Sequence, residues 1–150
     1  MTEHILKGRR IRGLTLIRPW LWAFLHGGKR CENRTWRPPE TIVGGYLALH
    51  SGLKFDRGTA LAMRDGLYGA RAKMVPLEDG EHPSGVIGAV ARLTGYHLHA
   101  DDYPSDYEFG PVVWRTPVVF PLPKPVPCRG AQGLWKLPDD VFEAVARQVP

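Results

Sequence analysis

Charged side chains of both signs follow a pair of glycines in residues 27–34, whose sequence is GGKRCENR. Lys29 stands directly after the glycines. Glu32 and Arg34 are two residues apart, so in an extended strand both side chains point to the same face. Such a cluster beside a glycine turn could bind an anion, orient the edge of a nucleobase or move a proton. It could also be a solvated set of surface salt bridges that contributes little to stability.

The elements on either side of this cluster would position it. Pro19 suits the first turn of a helix, and the glycines at 27–28 suit its end. Between them, four apolar side chains repeat at helical spacing: Trp20, Leu21, Phe24 and Leu25. Residues 30–36 then read as a strand. Lys29 would thus stand at a helix-to-strand turn, from which it can reach over one face of that strand.

Positive charge is concentrated in the first quarter of the chain. The protein has 20 Lys and Arg against 15 Asp and Glu, a formal net charge of +5. Residues 1–37 carry a net charge of +7, and the remainder carries −2. A basic block of this kind attracts polyanions. Because several of these cations lie beyond the N-terminal tail, the distribution favours a nucleic-acid or nucleotide partner.

The whole chain predicts five to six strands and three helices. The predicted strands lie at 14–17, 30–36, 45–50, 86–93, 112–120 and 134–137. The helices follow Pro19, cover 58–70 and close the chain from 138 to about 148, and prolines at every second position make 121–127 an extended connector. Because helices and strands do not alternate regularly, we expect an α+β fold. Its predicted form is a small mixed β-barrel with about three flanking helices.

Length and composition fit one globular domain. The 150 residues are 43% hydrophobic and 23% charged, which is ordinary for such proteins. We divide the chain into a basic, disordered lead-in at 1–13 and a folded domain at 14–150. No apolar run reaches a membrane span of roughly 18 residues, and no signal core follows the N-terminus, so we expect a cytoplasmic protein without a membrane partner. Cys31 and Cys128 lack metal-ligand spacing, and we expect no metal and no cofactor.

Several short motifs occur in one collinear order between residues 14 and 138. The central one is Gly-x-Lys-x-x-Glu-x-Arg, formed by Gly27, Lys29, Glu32 and Arg34. The others are LTL at 14–16, PW at 19–20, RTWR at 34–37, LALHSG at 47–52, GVIGAV at 85–90, FG at 109–110, Trp114, and VPCRGAQGLW at 126–135. In these motifs the chain resembles the ASCH domain family (activating signal cointegrator homology), a branch of the PUA-like barrels related to YTH and EVE domains.

The resemblance implies a PUA-like barrel with the central motif on the floor of a cleft between the barrel and its helices. Related domains bind RNA or modified bases. Some small bacterial members are similar to an amidohydrolase that acts on N4-acetylcytidine, and others are associated with ribonuclease activity. One fold thus hosts several activities, and the site has to be argued by itself.

Two positions depart from the family pattern. Arg18 stands where the family commonly has Gln before its Pro-Trp pair, which adds positive charge beside the implied cleft and favours a phosphate. Glu32 stands where the amidohydrolase members carry a Thr nucleophile that Lys activates. The resemblance therefore supports deacetylation poorly.

Six side chains are the predicted site: Arg18, Lys29, Glu32, Arg34, Trp36 and Arg129. Lys29 would supply a point charge to a phosphate or carbonyl oxygen. Glu32 would accept from the exocyclic amine of a base, or act as a general base if burial raises its pKa. Arg34 would orient Glu32. Arg18 would clamp a phosphate in a bidentate way, with a surface position as the alternative.

Aromatic and histidine side chains have both functional and structural interpretations. Trp36 shares the strand face of the cluster and is the candidate for base stacking, with core packing as the alternative. Arg129 would approach a phosphate from the opposite rim. His50 closes a buried strand and reads as a hydrogen-bonded core histidine. Tyr103 and Tyr107, in an acidic loop, could form a lid or simply keep the loop soluble.

These observations predict a protein that binds single-stranded RNA, a nucleotide or a modified nucleoside. The alternative is a hydrolase of RNA or of a modified nucleoside, with Lys29 and Glu32 as the catalytic pair. A protein-interaction module that reads peptides in the same cleft is the third class. It leaves the basic bias of the chain unexplained.

Overall fold

The computed structural model describes residues 5–6, 8–100 and 107–150, which contain eight strands and three α-helices. Five strands form the first sheet: β1 Ile11–Arg18, β3 Tyr46–Phe55, β4 Val86–Arg92, β7 Val118–Pro127 and β8 Leu134–Trp135. Three form the second sheet: β2 Cys31–Arg34, β5 Gly95–Leu98 and β6 Val112–Arg115. The helices are α1 Trp20–His26, α2 Arg57–Arg64 and α3 Asp139–Ala146. None of these helices is long and apolar enough to cross a membrane.

The first sheet carries most of the core. Its strand order is β7-β4-β3-β1-β8, in which β1 pairs parallel with β3 and the other pairs are antiparallel. The central strand β3 is buried on both faces from Tyr46 to Gly52, because its sequence is a nearly continuous apolar run. The buried face of α1 packs on this sheet through Leu21 and Phe24, and α3 packs against β7.

The second sheet is antiparallel, with the order β2-β6-β5. Its register opposes Glu32 to Trp114 and Trp114 to Tyr96, so these three residues share one face. Cys31 and Arg115 are opposed in the neighbouring row and belong to the other face. The sheet therefore presents two chemically different faces.

The fold is α+β as predicted, but it has eight strands rather than five to six. The described strands lie in two separately hydrogen-bonded sheets, and no closed barrel is found among them. The predicted strand 112–120 is divided into β6 and β7, and the predicted strand 86–93 forms β4 and is followed by a separate strand, β5. In each case the two consecutive strands join different sheets. Pro117 lies between β6 and β7, where it cannot donate a ladder hydrogen bond.

The first strand begins earlier than the sequence predicts. β1 includes residues 11–13, which fall within the predicted lead-in at 1–13. Leu6 is buried in the core as well. Ile11 pairs with Tyr46, so the parallel partner β3 extends β1 toward the N-terminus. The remainder of the lead-in includes residues 1–4 and 7, which lie outside the described part of the chain.

The proline-rich segment 121–127 is extended, as predicted, and belongs to β7 at the edge of the first sheet. An edge strand tolerates proline because the missing N–H can face away from the partner strand. The main chain of Lys124 is bonded by the side-chain amide of Gln148. Lys124 N–H donates to Gln148 Oε1, and Gln148 Nε2 donates to Lys124 O, both at 2.8 Å.

Candidate functional site

The turn after α1 carries the first charged residue of the cluster. The N–H groups of Gly27 and Lys29 both donate to Ala23 O, at 2.9 and 3.1 Å, and Gly28 between them has a φ of +73°. Residues with a Cβ are strained at this φ, so the tight turn requires glycine. The turn directs Lys29 inward, and its side chain is only 1% exposed.

The Lys29 ammonium is enclosed rather than presented to solvent. Nζ donates to Cys31 O at 2.5 Å and lies 5.1 and 5.0 Å from the ring centroids of Trp20 and Phe24. Glu32 Oε1 lies 3.7 Å from Nζ, which is beyond hydrogen-bond distance but close enough for attraction in a buried site. This enclosure favours a role as counter-ion to Glu32 over the predicted contact with a phosphate.

Glu32 is held in place by Arg34. Nε and Nη2 of Arg34 donate to the same carboxylate oxygen, Oε2, at 3.1 and 2.8 Å. Nη2 also donates to Thr15 O at 3.2 Å, which ties β2 of the second sheet to β1 of the first. Glu32 is 6% exposed, and with the buried Lys29 and the half-buried Arg34 it forms a triad with a formal net charge of +1. Arg34 therefore has the geometry of an orienting residue.

The triad lines a cavity of about 180 Å³. Two aromatic residues line it as well, Trp20 and Phe109, whose ring centroids are 5.9 Å apart. Phe109 is 39% exposed. Thr15, Leu16 and Ile17 of β1 also line it, as does Asn33 of β2. The cavity thus combines a carboxylate acceptor, a guanidinium and aromatic surface.

Asn33 positions the aromatic residue at the rim. Its Oδ1 accepts from the N–H groups of Phe109 and Gly110, at 3.0 and 2.9 Å, and its Nδ2 donates to Tyr107 O at 2.9 Å. Tyr107 is buried, and its hydroxyl donates to Gly27 O at 2.8 Å. Burial raises the pKa of the Tyr107 phenol, which favours the neutral donor. Tyr107 is therefore a packed anchor of this segment, and Tyr103 lies outside the described residues.

Arg18 is not part of this cavity. It is buried and lines a different cavity, together with Leu21 and His82. Its guanidinium donates five hydrogen bonds, to the main-chain oxygens of Gly52, Leu53, Asp79 and His82 and to the carboxylate of Asp79. Arg18 is thus not free to bind a phosphate as predicted. It connects β1 to β3 and to the segment after α2 by hydrogen bonds.

Trp36 also lies apart from the cavity. β2 ends at Arg34, so the alternation that placed Trp36 on the face of Glu32 does not continue to it. Its half-buried ring packs edge-to-face on Trp114, with centroids 4.7 Å apart, and Trp114 Nε1 donates to Trp36 O at 3.0 Å. This geometry supports the core-packing alternative over base stacking.

Arg129 lines a neighbouring cavity of about 720 Å³ rather than the cavity of the triad. Thr15 lines both, so the two cavities adjoin. His50 lies beside Thr15, buried and hydrogen-bonded at both ring nitrogens. Its Nε2 bonds Cys128 O at 2.9 Å, and because a carbonyl only accepts, Nδ1 is left to accept from Thr15 Oγ1 at 3.2 Å. His50 is thus a satisfied core histidine, as the sequence suggested.

The structure brings together Lys29, Glu32 and Arg34, and separates Arg18, Trp36 and Arg129 from them. Sequence reasoning missed six contributors to the cavity, which are Thr15, Leu16, Ile17, Trp20, Asn33 and Phe109. A signal for Asn33 was present, since it lies inside the charged segment and its type suits side chain–to–main chain bonds. In the described residues, no group of three or more His, Cys, Asp or Glu side chains could hold a metal.

Comparison with known proteins leaves the family of this chain open. A scan against models of protein families finds none that matches. A search of curated proteins finds no similar sequence. The resemblance to ASCH domains therefore rests on the motifs in the chain itself.

Proposed function

We propose that this protein binds single-stranded RNA or a nucleotide, and that the cavity over Glu32 receives one nucleobase. The observation that carries the proposal is the buried carboxylate of Glu32. Its Oε2 accepts hydrogen bonds from Arg34, and the residue lines a cavity that also has aromatic side chains. Oε1 makes no hydrogen bond to a described residue, which leaves it to accept from a ligand. The exocyclic amines of adenine, cytosine and guanine are suitable donors, and bonds to an ionised carboxylate are strong.

The aromatic lining supports a flat ligand. Trp20 and Phe109 both line the cavity, and stacking of a base on an aromatic side chain contributes roughly 1–3 kcal/mol. The volume of about 180 Å³ is smaller than the roughly 300–1,000 Å³ of sites for drug-sized ligands. A single base fits this size better than a complete nucleotide. The sugar and phosphate would lie outside the cavity and would not contact the enclosed Lys29.

The proposal extends to the family and the location. We infer that the two sheets belong to a PUA-like barrel of the ASCH type, because the motifs of that family occur in one order along the chain. The triad is its Gly-x-Lys-x-x-Glu-x-Arg motif, in which the glycine lies in the turn that directs Lys29 inward. A cytoplasmic location would give such a domain access to RNA.

A hydrolase is the second candidate. The observation that favours it is the distance of 3.7 Å between Lys29 Nζ and Glu32 Oε1, since a carboxylate fixed beside a cation can activate water as a general base. Lys29 is enclosed, so it would position Glu32 and not contact the substrate. The bond cleaved would be a phosphodiester of RNA or the amide of a modified nucleoside such as N4-acetylcytidine.

The test is binding of labelled single-stranded oligo(A), oligo(C) and oligo(U), measured by fluorescence anisotropy, with RNA integrity read on a gel. Uracil lacks an exocyclic amine, so we expect weaker binding of oligo(U). Glu32→Gln should lose roughly tenfold or more in affinity for the other two, because it removes a hydrogen bond to a charged acceptor. The exposed Glu143 of α3 offers a matched control, and Glu143→Gln should bind like the original protein.

Each outcome decides between the candidates. Glu32→Gln leaves the Lys29 ammonium without its counter-charge. The double variant Lys29→Met/Glu32→Gln removes both charges and is therefore measured as well. If Glu32→Gln and Glu143→Gln bind all three RNAs equally well, the base does not occupy the cavity over Glu32. If no RNA, nucleotide or nucleoside binds, the proposal fails. Cleavage or deacetylation that Glu32→Gln abolishes would establish the hydrolase instead.

A further inference from the structure

A second cavity, of about 410 Å³, lies on the other face of the second sheet from Glu32. Cys31 lines this cavity and Glu32 lines the first, as expected of successive residues on one strand. Arg115 is opposed to Cys31 on β6, and His97 of β5 lies in the next row of the same face. The sheet thus separates this cavity from the one assigned to a base.

The cavity is lined by more positive than negative charge. Arg30 and Arg115 both line it, and Thr116 N donates to Arg30 O at 3.0 Å, which holds the two arginine-bearing segments side by side. Arg71 adds a third guanidinium. It lies against Gly28, which lines the cavity, and a Cβ at position 28 would overlap the Arg71 side chain. Burial, and then the positive charge of Arg71, lowers the pKa of Arg30. An anion placed here would relieve this repulsion.

The acidic residue of the lining is already paired. Among the described lining residues the acid is Glu108, and its Oε1 lies 2.7 Å from His97 Nε2. His97 Nδ1 is buried and has no hydrogen-bond partner among the described residues. Neither Arg30 nor Arg115 forms an ion pair with a described carboxylate. Among the described residues, the cavity therefore has two guanidinium groups without a carboxylate partner and one polar atom without a hydrogen bond.

We propose that this cavity binds a phosphate group, held by the guanidinium groups of Arg30 and Arg115. Two planar forks match the tetrahedral oxygens of phosphate better than two ammonium groups would. Nη1 of Arg30 is engaged by Phe24 O and Lys29 O, which fixes the guanidinium and leaves Nε and Nη2 for the ligand. Because His97 Nε2 donates to the Glu108 carboxylate, Nδ1 is left to accept, and a water ordered by the bound anion supplies the donor that it lacks. The site is independent of the function proposed above, since no residue of the triad contributes to it.

The experiment measures binding of inorganic phosphate, adenosine 5′-monophosphate and adenosine to the full chain by isothermal titration calorimetry. Arg115→Gln is the test variant, and Arg92→Gln is its matched control, because both arginines are exposed and end a strand. We expect binding of a phosphate-bearing ligand that Arg115→Gln weakens between about 10-fold and 100-fold, the loss typical of a charged hydrogen-bond partner. Arg92→Gln should leave that affinity unchanged.

The three ligands separate the sources of the phosphate. Binding of inorganic phosphate would identify a free anion as sufficient, and binding of the monophosphate alone would identify a phosphomonoester on a larger ligand. Adenosine should bind independently of Arg115. Equal weakening by the two arginine variants, or no binding of either phosphate-bearing ligand, overturns the proposal. Arg30→Gln provides a second variant and should weaken binding as Arg115→Gln does.

Discussion

At the scale of the residue, Glu32 shows how a buried carboxyl group is paired inside the protein. Taking a charge out of water costs several kcal/mol, and only pairing and hydrogen bonds offset that cost. Arg34 provides two hydrogen bonds to Oε2, and Lys29 provides a second positive charge at 3.7 Å from Oε1. Because Lys29 is buried as well, each of the two groups depends on the other.

This dependence predicts a strong energetic coupling between Lys29 and Glu32. Glu32→Gln leaves the Lys29 ammonium buried without its counter-charge and should lower the free energy of unfolding by about 3 kcal/mol. Lys29→Met/Glu32→Gln should lose less than that single variant, because the unpaired ammonium is gone. Urea unfolding of both singles and the double closes the cycle. Additive losses would show that the two side chains do not interact.

At the scale of the element, α2 depends on the residue before it. The helix has eight residues, too few to be stable alone, and it buries Ala60 and Met63. Asp56 Oδ1 accepts from Thr59 N at 3.0 Å and so caps the first turn. The Thr59 N–H, which bonds the ionised form, holds the pKa of the Asp56 carboxyl below its usual range.

The cap predicts a pH-dependent contribution to stability. Asp56→Ala should lower the free energy of unfolding by about 1 kcal/mol at pH 7, and Asp56→Asn should lower it less because Asn also caps. The folded pKa is depressed, so the cap stabilises above the usual value of about 3.9 and the effect is lost as the pH falls through the folded pKa. Urea unfolding at pH 7 and pH 3 measures this. An Asp56→Ala penalty that is unchanged at pH 3 would contradict it.

At the scale of the whole molecule, the basic bias of the sequence is larger than the basic surface of the fold. Nine Lys and Arg lie in residues 1–37, but Arg18, Lys29 and Arg34 are engaged inside the protein. Five described cations of this quarter remain exposed or half-exposed: Arg9, Arg10, Arg12, Arg30 and Arg37. Lys7 lies outside the described residues.

Because only five described cations of residues 1–37 are exposed or half-exposed, we predict a moderate salt dependence for RNA binding. Each phosphate contact with a single strand contributes a slope of about −0.7 to a plot of log affinity against log salt concentration. Five contacts would give about −3.5, whereas all nine cations would give about −6.3. Anisotropy titrations of a short oligonucleotide at several salt concentrations measure the slope. A value near −6 would mean that cations beyond these five contact the RNA.

The arrangement of the whole molecule decides which parts of the site could be predicted from the sequence. Glu32 and Arg34 lie on one strand, so a period of two placed them together without knowledge of the fold. Phe109 reaches the cavity through a bond to Asn33, 76 residues earlier in the chain, and no local pattern reports such a contact. Arg18 was misplaced because its spacing does not say which face of β1 meets the second sheet. The strand breaks at 93–94 and 116–117 likewise depend on a change of partner sheet.

The prolines of β7 bear on how this protein behaves when it is concentrated. An exposed strand with free N–H and C=O groups is a template on which another chain can add a strand, the first step of fibril growth. Here Pro121, Pro123, Pro125 and Pro127 remove every second donor, and Gln148 occupies the main-chain groups of Lys124. The opposite border of the sheet, β8, is only two residues long. Both borders therefore offer few free donors to a further strand, which disfavours templated self-association of this sheet.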